Sequence, residues 1–450
     1  MRIVHALLRF ANQQTYATPL IVLCLLLTLA PCSAETESKA LSNGIRILLT
    51  PTPSADFIGV AVFVKWHRPN DSKTACLQEL AGRALFFGSL NRSFDSVSLS
   101  VKRVGGSLDI QVTPQFLVIT CLTVPEQISE TAYLIGEALR NAEYSEDALT
   151  RARTQITREA KERKANPYES LRYELTRLAN QTPEWNPQEI ERITPQQVKS
   201  YFLKQFTIEN IVLSVTGHFE PTKAYRTFDN NLFEIRRGSP PTKRGELPME
   251  PTKLPQTLPT VTVLSRNSIA YALLSMPAPS VTSTEYPDFL TLQALLGLGY
   301  QSRLLRHFRE EQGLGYETGV TFFPHYGEHL IAQVQWDTNS HTKGKQPTPE
   351  QVCTQIQEEI NRIITQPIPD SELNRAKQIA LGRLALAHER VLDKAVLLGW
   401  YEVMSIANPL DKELPDRILH VTKEGVASVA KTYLGKATLG IVQPKPPSPQ

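Results

Sequence analysis

Two successive stretches of the chain carry the same order of hydrophobic patterns. In the first, a run of apolar and β-branched residues at 56–66 predicts a strand, and apolar residues at helical spacing over 74–87 predict a helix. Residues 101–124 contain Gly105-Gly106 and two strand-like runs, which predict a hairpin. Pro125 then begins another helical pattern, and Ser145 is placed to cap the helix after it.

The second stretch repeats this order at a nearly constant distance along the chain. Its first strand begins at Tyr271, 211 residues after Val60 (271 − 60 = 211), and its first helix begins near Tyr286, again 211 residues after Ala75 (286 − 75 = 211). The offset grows towards the C-terminus, as loop insertions after a duplication would produce. We therefore predict that the second half duplicates the first, and chance similarity between short segments is the alternative.

The mixture of strands and long helices, with hairpin signals between strands, predicts the α+β class rather than a doubly wound parallel sheet. We expect two homologous α/β-layered domains, each with a mainly antiparallel sheet and helices packed on one face. The predicted N-terminal domain covers residues 35–235, and the predicted C-terminal domain covers residues 260–444. Residues 236–259 are rich in proline and charge and are predicted to form a linker, with a tail at 445–450.

The first 34 residues have the layout of a secretory signal. Arg2 and Arg9 give a positive start, residues 19–29 are apolar, and small residues precede Glu35. The apolar stretch is shorter than the ~20 residues that a membrane-spanning helix needs. We therefore expect cleavage after Ala34, export to the periplasm or the extracellular space, and no membrane association of the mature chain. A retained anchor is the alternative.

Composition narrows the range of functions. The 450 residues are 41% hydrophobic and 21% charged with a net charge of +3, which excludes a disordered chain. No block of Lys and Arg with interleaved aromatic residues occurs, so nucleic-acid binding is not expected. Outside the signal, Cys76, Cys121 and Cys353 are widely spaced, which argues against a disulfide framework. Cys121 and Cys353 are predicted to be buried apolar residues.

The order of the elements and three local segments resemble a known enzyme family. The segments SNGIRILLTPTPSADFIGVAVFVKW, SRLLRHFREEQGLGY and SELNRAK begin at Ser42, Ser302 and Ser371. Over nearly the whole mature chain, the pattern resembles the pitrilysin/insulinase family of zinc metallopeptidases, in particular two-domain bacterial subunits similar to the mitochondrial processing peptidase. The resemblance implies that peptidase's fold and a chamber that closes around extended peptides.

Active members of that family carry His-x-x-Glu-His on the first helix, where two histidines bind zinc, and a later Glu is the third ligand. The resemblance places Cys76 and Leu80 at the histidine positions, Glu79 at the general-base position and Glu159 at the third-ligand position. A thiol and a carboxylate fall short of the three protein ligands of a catalytic zinc, and leucine binds no metal. We therefore expect no zinc cofactor in this chain, no peptidase activity of the chain alone, and zinc in a partner subunit. A rescued site with Cys76, Glu159 and a further donor is the alternative.

A second segment, residues 325–329, spells the zinc motif letter for letter. Pro324 and Gly327 disfavour a helix there, by ~3 and ~1 kcal/mol relative to alanine, and the flanking residues are strand-like. Because the two imidazoles would not share a helical face in a hairpin, we predict a solvent-exposed turn at His325–His329 and no metal site.

The resemblance also implies a substrate site in the second half. Family members carry an Arg followed seven residues later by a Tyr, and the pair contacts the substrate backbone and the developing oxyanion. Arg309 and Tyr316 match this pair (316 − 309 = 7). Without the resemblance, Arg309 would be a charge at a helix end and Tyr316 an ordinary strand residue.

Three functions follow from these observations. The first is a non-catalytic subunit of an exported zinc-metallopeptidase-like complex, which supplies Arg309 and Tyr316 to a zinc-bearing homologous subunit that cleaves extended peptides. The second is a non-hydrolytic scaffold or peptide-binding protein on the same fold. The third is an autonomous metallopeptidase with an altered site, which the number of available ligands disfavours.

Overall fold

The structure is a computed structural model that describes residues 35–238, 260–322, 328–339, 346–404 and 409–444. The predicted signal at 1–34, residues 239–259 of the predicted linker and the predicted tail at 445–450 lie outside the described residues, so these assignments stay predictions. In the part of the chain that is described, no helix is both long enough and apolar enough to cross a membrane.

The first half of the chain forms one six-stranded, mainly antiparallel sheet covered by helices. Its strands are β1 (Glu37–Ala40), β2 (Arg46–Pro51), β3 (Ile58–Lys65), β4 (Ser107–Val112), β5 (Phe116–Thr123) and β6 (Ile211–Gly217). They lie in the order β1-β2-β6-β3-β5-β4, and only β2 and β6 pair in parallel among these strands. The helices are α1 (Ser72–Arg83), α2 (Phe94–Arg103), α3 (Ile128–Asn141), α4 (Glu146–Ala165), α5 (Pro167–Ala179), α6 (Pro187–Arg192), α7 (Pro195–Gln205) and α8 (Pro221–Leu232).

The second half builds a five-stranded sheet by the same scheme. Its strands are β7 (Thr260–Ser265), β8 (Ile269–Pro277), β9 (Glu317–Phe322), β10 (His329–Asp337) and β11 (Thr438–Pro444). They lie in the order β7-β11-β8-β10-β9, with β7 and β11 parallel and the other neighbours antiparallel. The helices are α9 (Tyr286–Gly297), α10 (Arg303–Leu305), α11 (Pro349–Thr365), α12 (Asp370–Ala387), α13 (Val391–Val403), α14 (Pro409–Leu419) and α15 (Lys423–Tyr433).

The two sheets confirm the predicted α+β architecture and its internal repeat. The order β2-β6-β3-β5-β4 in the first sheet corresponds strand by strand to β7-β11-β8-β10-β9 in the second, including the single parallel pair in each. The predicted strands at 56–66 and from Tyr271 are β3 and β8, and the predicted helices are α1 and α9. Sequence analysis did not predict α2, which lies between α1 and the first hairpin.

Local capping explains where several helices begin. The Ser145 hydroxyl accepts a hydrogen bond from the backbone N–H of Ala148, which confirms the predicted cap of α4. At α11, Thr348 and Gln351 form a capping box in which each side chain satisfies a backbone N–H of the other residue. Such caps satisfy N–H groups that have no partner within the helix and stabilise it by about 1 kcal/mol each.

The first sheet is buried on both faces, by different halves of the chain. Val60, Val62 and Val64 of β3 point to the core formed with the helices of the first half. Phe63, on the opposite face, belongs to the core of the second half. The covering helix is α13, and a Cβ on Gly59 would lie 2.6 Å from its first carbonyl oxygen. Glycine is therefore required where α13 approaches β3.

The second sheet shows the reciprocal arrangement. Leu171 and Leu175 of α5, a helix of the first half, pack on Leu273, Ile331 and Val442 of the second sheet. Each fully buried leucine contributes roughly 1.5–3 kcal/mol relative to an exposed one. Each half thus keeps its own helices on one face, as predicted, and receives a helix of the other half on the second face. Through this packing, α5 lies beside the cleft that contains the candidate site.

Candidate functional site

Helix α1 carries the residues that the family resemblance singled out. It begins at Asp71, whose carboxylate accepts a hydrogen bond from the backbone N–H of Thr74 at 2.7 Å. One side of the helix, with Gln78, Glu79 and Arg83, lines a cleft. The adjoining side is buried in the apolar core. The helix therefore separates a polar cleft from a core.

The two positions that correspond to zinc-binding histidines both face that core. The side chains of Cys76 and Leu80 have 0% of their surface exposed. The Cys76 thiol lies 3.8 Å from the carbonyl oxygen of Asn186, at the start of α6. Burial raises the pKa of this thiol, so it stays protonated near neutral pH and is a poor metal ligand. Leu80 contributes only apolar contacts.

The cleft has a volume of about 570 Å³ and lies between α1, α4, α5 and the turn from β4 to β5. Acidic, basic and aromatic side chains line its walls. They include Glu79, Arg83, Glu159, Arg163, Glu169, Arg172, Tyr173 and Arg177. The guanidinium of Arg163 stacks 3.8 Å above the Tyr173 ring, and burial raises the pKa of that phenol to about 12. The cleft is thus polar and densely charged, with cations and anions interspersed.

The two acidic candidates, Glu79 and Glu159, are joined by one arginine. A guanidinium nitrogen of Arg83, Nη2, lies 2.9 Å from Oε2 of Glu159, and Nη1 donates to Oε1 at 3.4 Å. Arg83 Nε lies 3.5 Å from Oε2 of Glu79, one helical turn away. Gln155 donates a further hydrogen bond to Glu159 at 2.8 Å. Burial raises the pKa of the Glu79 carboxyl, and the guanidinium opposes this shift.

Sequence analysis missed Arg83. The available signal was its position four residues after Glu79, a spacing at which Glu and Arg pair on a helix surface. Its contact with Glu159 could not be predicted from spacing, because it depends on how α1 and α4 pack.

The residues at this place do not fit a zinc ion. Among the described residues, no group of three or more His, Cys, Asp and Glu side chains is arranged to hold a metal. The donor set explains why: Cys76 is a buried thiol that faces Asn186, Leu80 has no donor atom, and Glu159 is already bound by a cation. A catalytic zinc uses three protein ligands, and here one carboxylate at most faces the cleft from those positions.

Arg309 and Tyr316 lie on the surface of the second half. Arg309 belongs to a π-helical segment, Arg306–Glu311, that continues α10, and its side chain is exposed. Tyr316 is 81% exposed and precedes β9, held by a hydrogen bond from its backbone N–H to the carbonyl oxygen of Gln335. Gly313 and Gly315 have φ angles of +66° and +88°, so the turn between the two residues requires glycine. The substrate-binding role of the pair stays a prediction.

The second zinc-like motif falls at the junction of β9 and β10. The two strands pair antiparallel, with Phe322 opposite Leu330, as expected of a hairpin. His325 lies outside the described residues. His329 begins β10, is buried, and has Nε2 at 3.3 Å from the hydroxyl of Thr176 on α5. Burial raises the pKa of the Glu328 carboxyl beside it. The predicted solvent exposure is therefore wrong at His329, which is a packed strand residue.

Comparison with known proteins adds a family match over part of the chain and several distant relatives. Residues 192–380 match the family described as Peptidase M16 inactive domain, a stretch that begins at the end of α6 and leaves α1 outside it. The chain is 20% identical over 376 residues to an uncharacterized zinc protease of Rickettsia felis, a match that covers 80% of this chain and 85% of the relative. It is 23% identical over 444 residues to mitochondrial-processing peptidase subunit beta of Saccharomyces cerevisiae, with 93% of each chain covered.

A solved structure shows the shared fold. The peptidase M16 inactive domain from Pseudomonas fluorescens superimposes with a TM-score of 0.75 at 15% identity, over 92% of this chain and 99% of that one. Together with the domain match and the named relatives, this confirms the resemblance predicted from the sequence. Residues 192–380 thus match the Peptidase M16 inactive domain, and the chain as a whole is similar to the named relatives; its first helix carries Cys76 and Leu80 where that resemblance places two zinc-binding histidines.

Proposed function

We propose that this protein is a non-catalytic subunit of a zinc-peptidase complex, in which a homologous subunit carries the metal and this chain contributes contacts to the peptide. The observation that carries the proposal is the set of residues that α1 has at the metal-binding positions. Its two histidine positions hold buried, non-ligating side chains, and Arg83 forms ion pairs with Glu79 of the same helix and with Glu159 of α4. Without metal ligands at these two positions, α1 cannot hold a metal-bound water molecule for hydrolysis.

Two further observations support a partnered role. Arg309 and Tyr316 are exposed, so their donor groups are free to reach a peptide held by another subunit. Hydrogen-bond donors aimed at a developing oxyanion typically contribute a factor of ~10²–10³ to the rate of amide hydrolysis. The yeast relative is named as a subunit, which fits a protein that works within an assembly.

We extend the proposal to location. The positively charged start, the apolar stretch and the small residues before Glu35 support export through a cleaved signal. Cell fractionation and N-terminal sequencing of the mature protein test this: a protein that begins at Glu35 in an exported fraction is the expected result, and an intact Met1 in the cytoplasm would contradict it.

The function is tested by reconstitution with a homologous subunit that has an intact His-x-x-Glu-His motif. We expect no cleavage of a fluorogenic extended peptide by this chain alone, cleavage by the mixture, and a loss of ~10²-fold or more in kcat/KM on Arg309→Ala or Tyr316→Phe. Arg306→Ala is the matched control, since Arg306 is an exposed arginine of the same π-helical segment. It is expected to leave the rate within about twofold.

Two outcomes would contradict the proposal in different ways. Stoichiometric zinc and peptide cleavage by the isolated chain would show an autonomous peptidase. Stable association with the zinc-bearing subunit without cleavage in any combination, and with no effect of Arg309→Ala, would instead favour the scaffold function.

A further inference from the structure

We propose that Arg83 is an internal cation that takes the place of a metal ion in this cleft. Its guanidinium joins Glu79 of α1 to Glu159 of α4, holds the two helices together and keeps divalent cations out. This inference concerns the cleft alone and does not depend on a partner subunit.

The geometry is that of one cation shared by two carboxylates. Both nitrogens at the end of Arg83 face the two oxygens of Glu159, at 2.9 and 3.4 Å, which is the bidentate arrangement in which arginine binds carboxylates best. The third nitrogen, Nε, faces Glu79 at 3.5 Å. The three side chains are only 21%, 27% and 35% exposed for Arg83, Glu79 and Glu159, so water screens them incompletely.

The remaining arginines that line the cleft are engaged with other groups. Arg172 donates twice to Glu169, at 3.1 and 2.6 Å, and Arg177 forms an ion pair with Glu174. Arg163 stacks on Tyr173. Among the described arginines that line the cleft, Arg83 is therefore the one that contacts both Glu79 and Glu159.

A guanidinium that belongs to the chain can exclude metal ions more effectively than a bound ion, which can dissociate. It is covalently part of α1 and cannot diffuse away, so any metal ion must displace it from Glu159 and then lie beside its charge. Like charges at such short distance repel each other strongly where water screens them incompletely. The loss of the histidines and the presence of Arg83 are thus separate obstacles to metal binding.

These two obstacles can be separated by mutation. In Cys76→His/Leu80→His, two imidazoles return to one helix face but Arg83 still holds Glu159. In Cys76→His/Leu80→His/Arg83→Ala, Glu159 is released and three protein ligands are available. The matched control is Cys76→His/Leu80→His/Arg172→Ala, which removes a different arginine from the same cleft. Zinc affinity is measured by competition with a chromophoric chelator, and zinc content by elemental analysis after dialysis.

We expect the variant with Arg83→Ala to retain about one zinc ion per chain and to bind zinc at least about tenfold more tightly than the other two variants. Equal affinity in all three variants, or the same gain from Arg172→Ala, would overturn the proposal. Circular dichroism confirms that the compared variants are folded.

A second measurement needs no histidine substitution, since replacing the buried Leu80 can prevent folding. Urea denaturation is compared for Arg83→Gln in the wild-type background and in a Glu79→Gln/Glu159→Gln background. We expect Arg83→Gln to lower the urea midpoint clearly in the first background and to have at most half that effect in the second. An equal shift in both backgrounds would show that Arg83 does not act through the two carboxylates.

Discussion

The first helices of the two halves, α1 and α9, occupy equivalent places in the repeat but have opposite character. α1 keeps polar residues on its cleft side, whereas α9 (YPDFLTLQALLG) is buried almost from end to end. The offset of 211 aligns Glu79 with Leu290 and Arg83 with Ala294 (290 − 79 = 211; 294 − 83 = 211). Leu290 and Ala294 both pack in the apolar core of the second half.

This difference shows that the fold does not need charged residues at this place. Removing a carboxylate and a guanidinium from water costs free energy that their attraction only partly returns, whereas apolar residues of similar volume are often neutral or stabilising. The second half has the core helix that packing alone favours. The first half retains Glu79, Arg83 and Glu159 in a cleft, which is expected of a site and not of a core.

The largest predicted effect is a loss of stability when a buried side chain of α9 is truncated, which tests its role as a core helix. Phe289 is fully buried, and its ring lies 5.0 Å from that of Phe322, measured between centroids. We expect Phe289→Ala to lower the free energy of unfolding by about 3–5 kcal/mol, because the cavity cannot close completely. Urea denaturation measures this loss. A loss no larger than that of Glu79→Ala would mean that α9 is not the main packing helix that its burial indicates.

A medium effect is predicted when α1 is given the residues of α9. Arg83→Ala alone leaves two partly buried carboxylates without their shared cation and is expected to cost about 1–2 kcal/mol of unfolding free energy. Adding Glu79→Leu removes one of these carboxylates and supplies apolar surface, so Glu79→Leu/Arg83→Ala is expected to regain at least half of that loss. Both values are obtained from urea denaturation at neutral pH.

The control for this experiment is another Arg–Glu pair with the same spacing. Arg158 and Glu162 lie on α4 with 68% of each side chain exposed. Water screens such a pair, so Arg158→Ala is expected to change stability by less than about 0.5 kcal/mol. If Glu79→Leu/Arg83→Ala is less stable than Arg83→Ala alone, α1 depends on its charges and the contrast with α9 fails.

Much of the fold followed from the sequence because its strongest signals are local. The strands β3 and β8 are continuous apolar runs, and Ser145 caps α4 through a residue three positions away. α2 was missed although its signals are also local: Ser93 caps it, and Phe94, Val97 and Val101 recur at helical spacing.

The packing of α5 and the Arg83–Glu159 contact could not be predicted, because they depend on distances between residues that are far apart in the chain. Leu171 and Leu175 lie one helical turn apart on α5, but this spacing does not indicate which sheet they pack against. Similarly, Arg83 and Glu159 are separated by 76 residues (159 − 83 = 76), and their contact depends on how α1 packs against α4. The absence of histidines at positions 76 and 80 could be read from the sequence, whereas the contact of Arg83 with Glu159 could not.

The smallest predicted effect compares the C-terminal ends of α4 and α12, which are equivalent in the repeat. α4 ends at Asn166, whose side chain accepts hydrogen bonds from the first backbone N–H groups of α5. α12 ends at His388, whose Nε2 lies 2.8 Å from a carboxylate oxygen of Asp411 and whose Nδ1 lies 2.7 Å from the carbonyl oxygen of Leu384. Only the second of these helix ends can titrate near neutral pH.

The hydrogen bond with Asp411 raises the pKa of the His388 imidazole, the Leu384 carbonyl adds to this, and burial and Lys394 oppose it. Because the folded pKa lies above the unfolded one of about 6.5, the stabilisation is fully present below about pH 6.5 and is lost as the pH rises through the folded pKa. We expect His388→Asn to cost about 0.5–1 kcal/mol near pH 5.5 and close to nothing near pH 9. Asn166→Ala should instead cost about 1 kcal/mol at both values, since a neutral cap does not titrate. A loss for His388→Asn that is constant with pH would place His388 in the same class as Asn166, and this difference between the two halves would disappear.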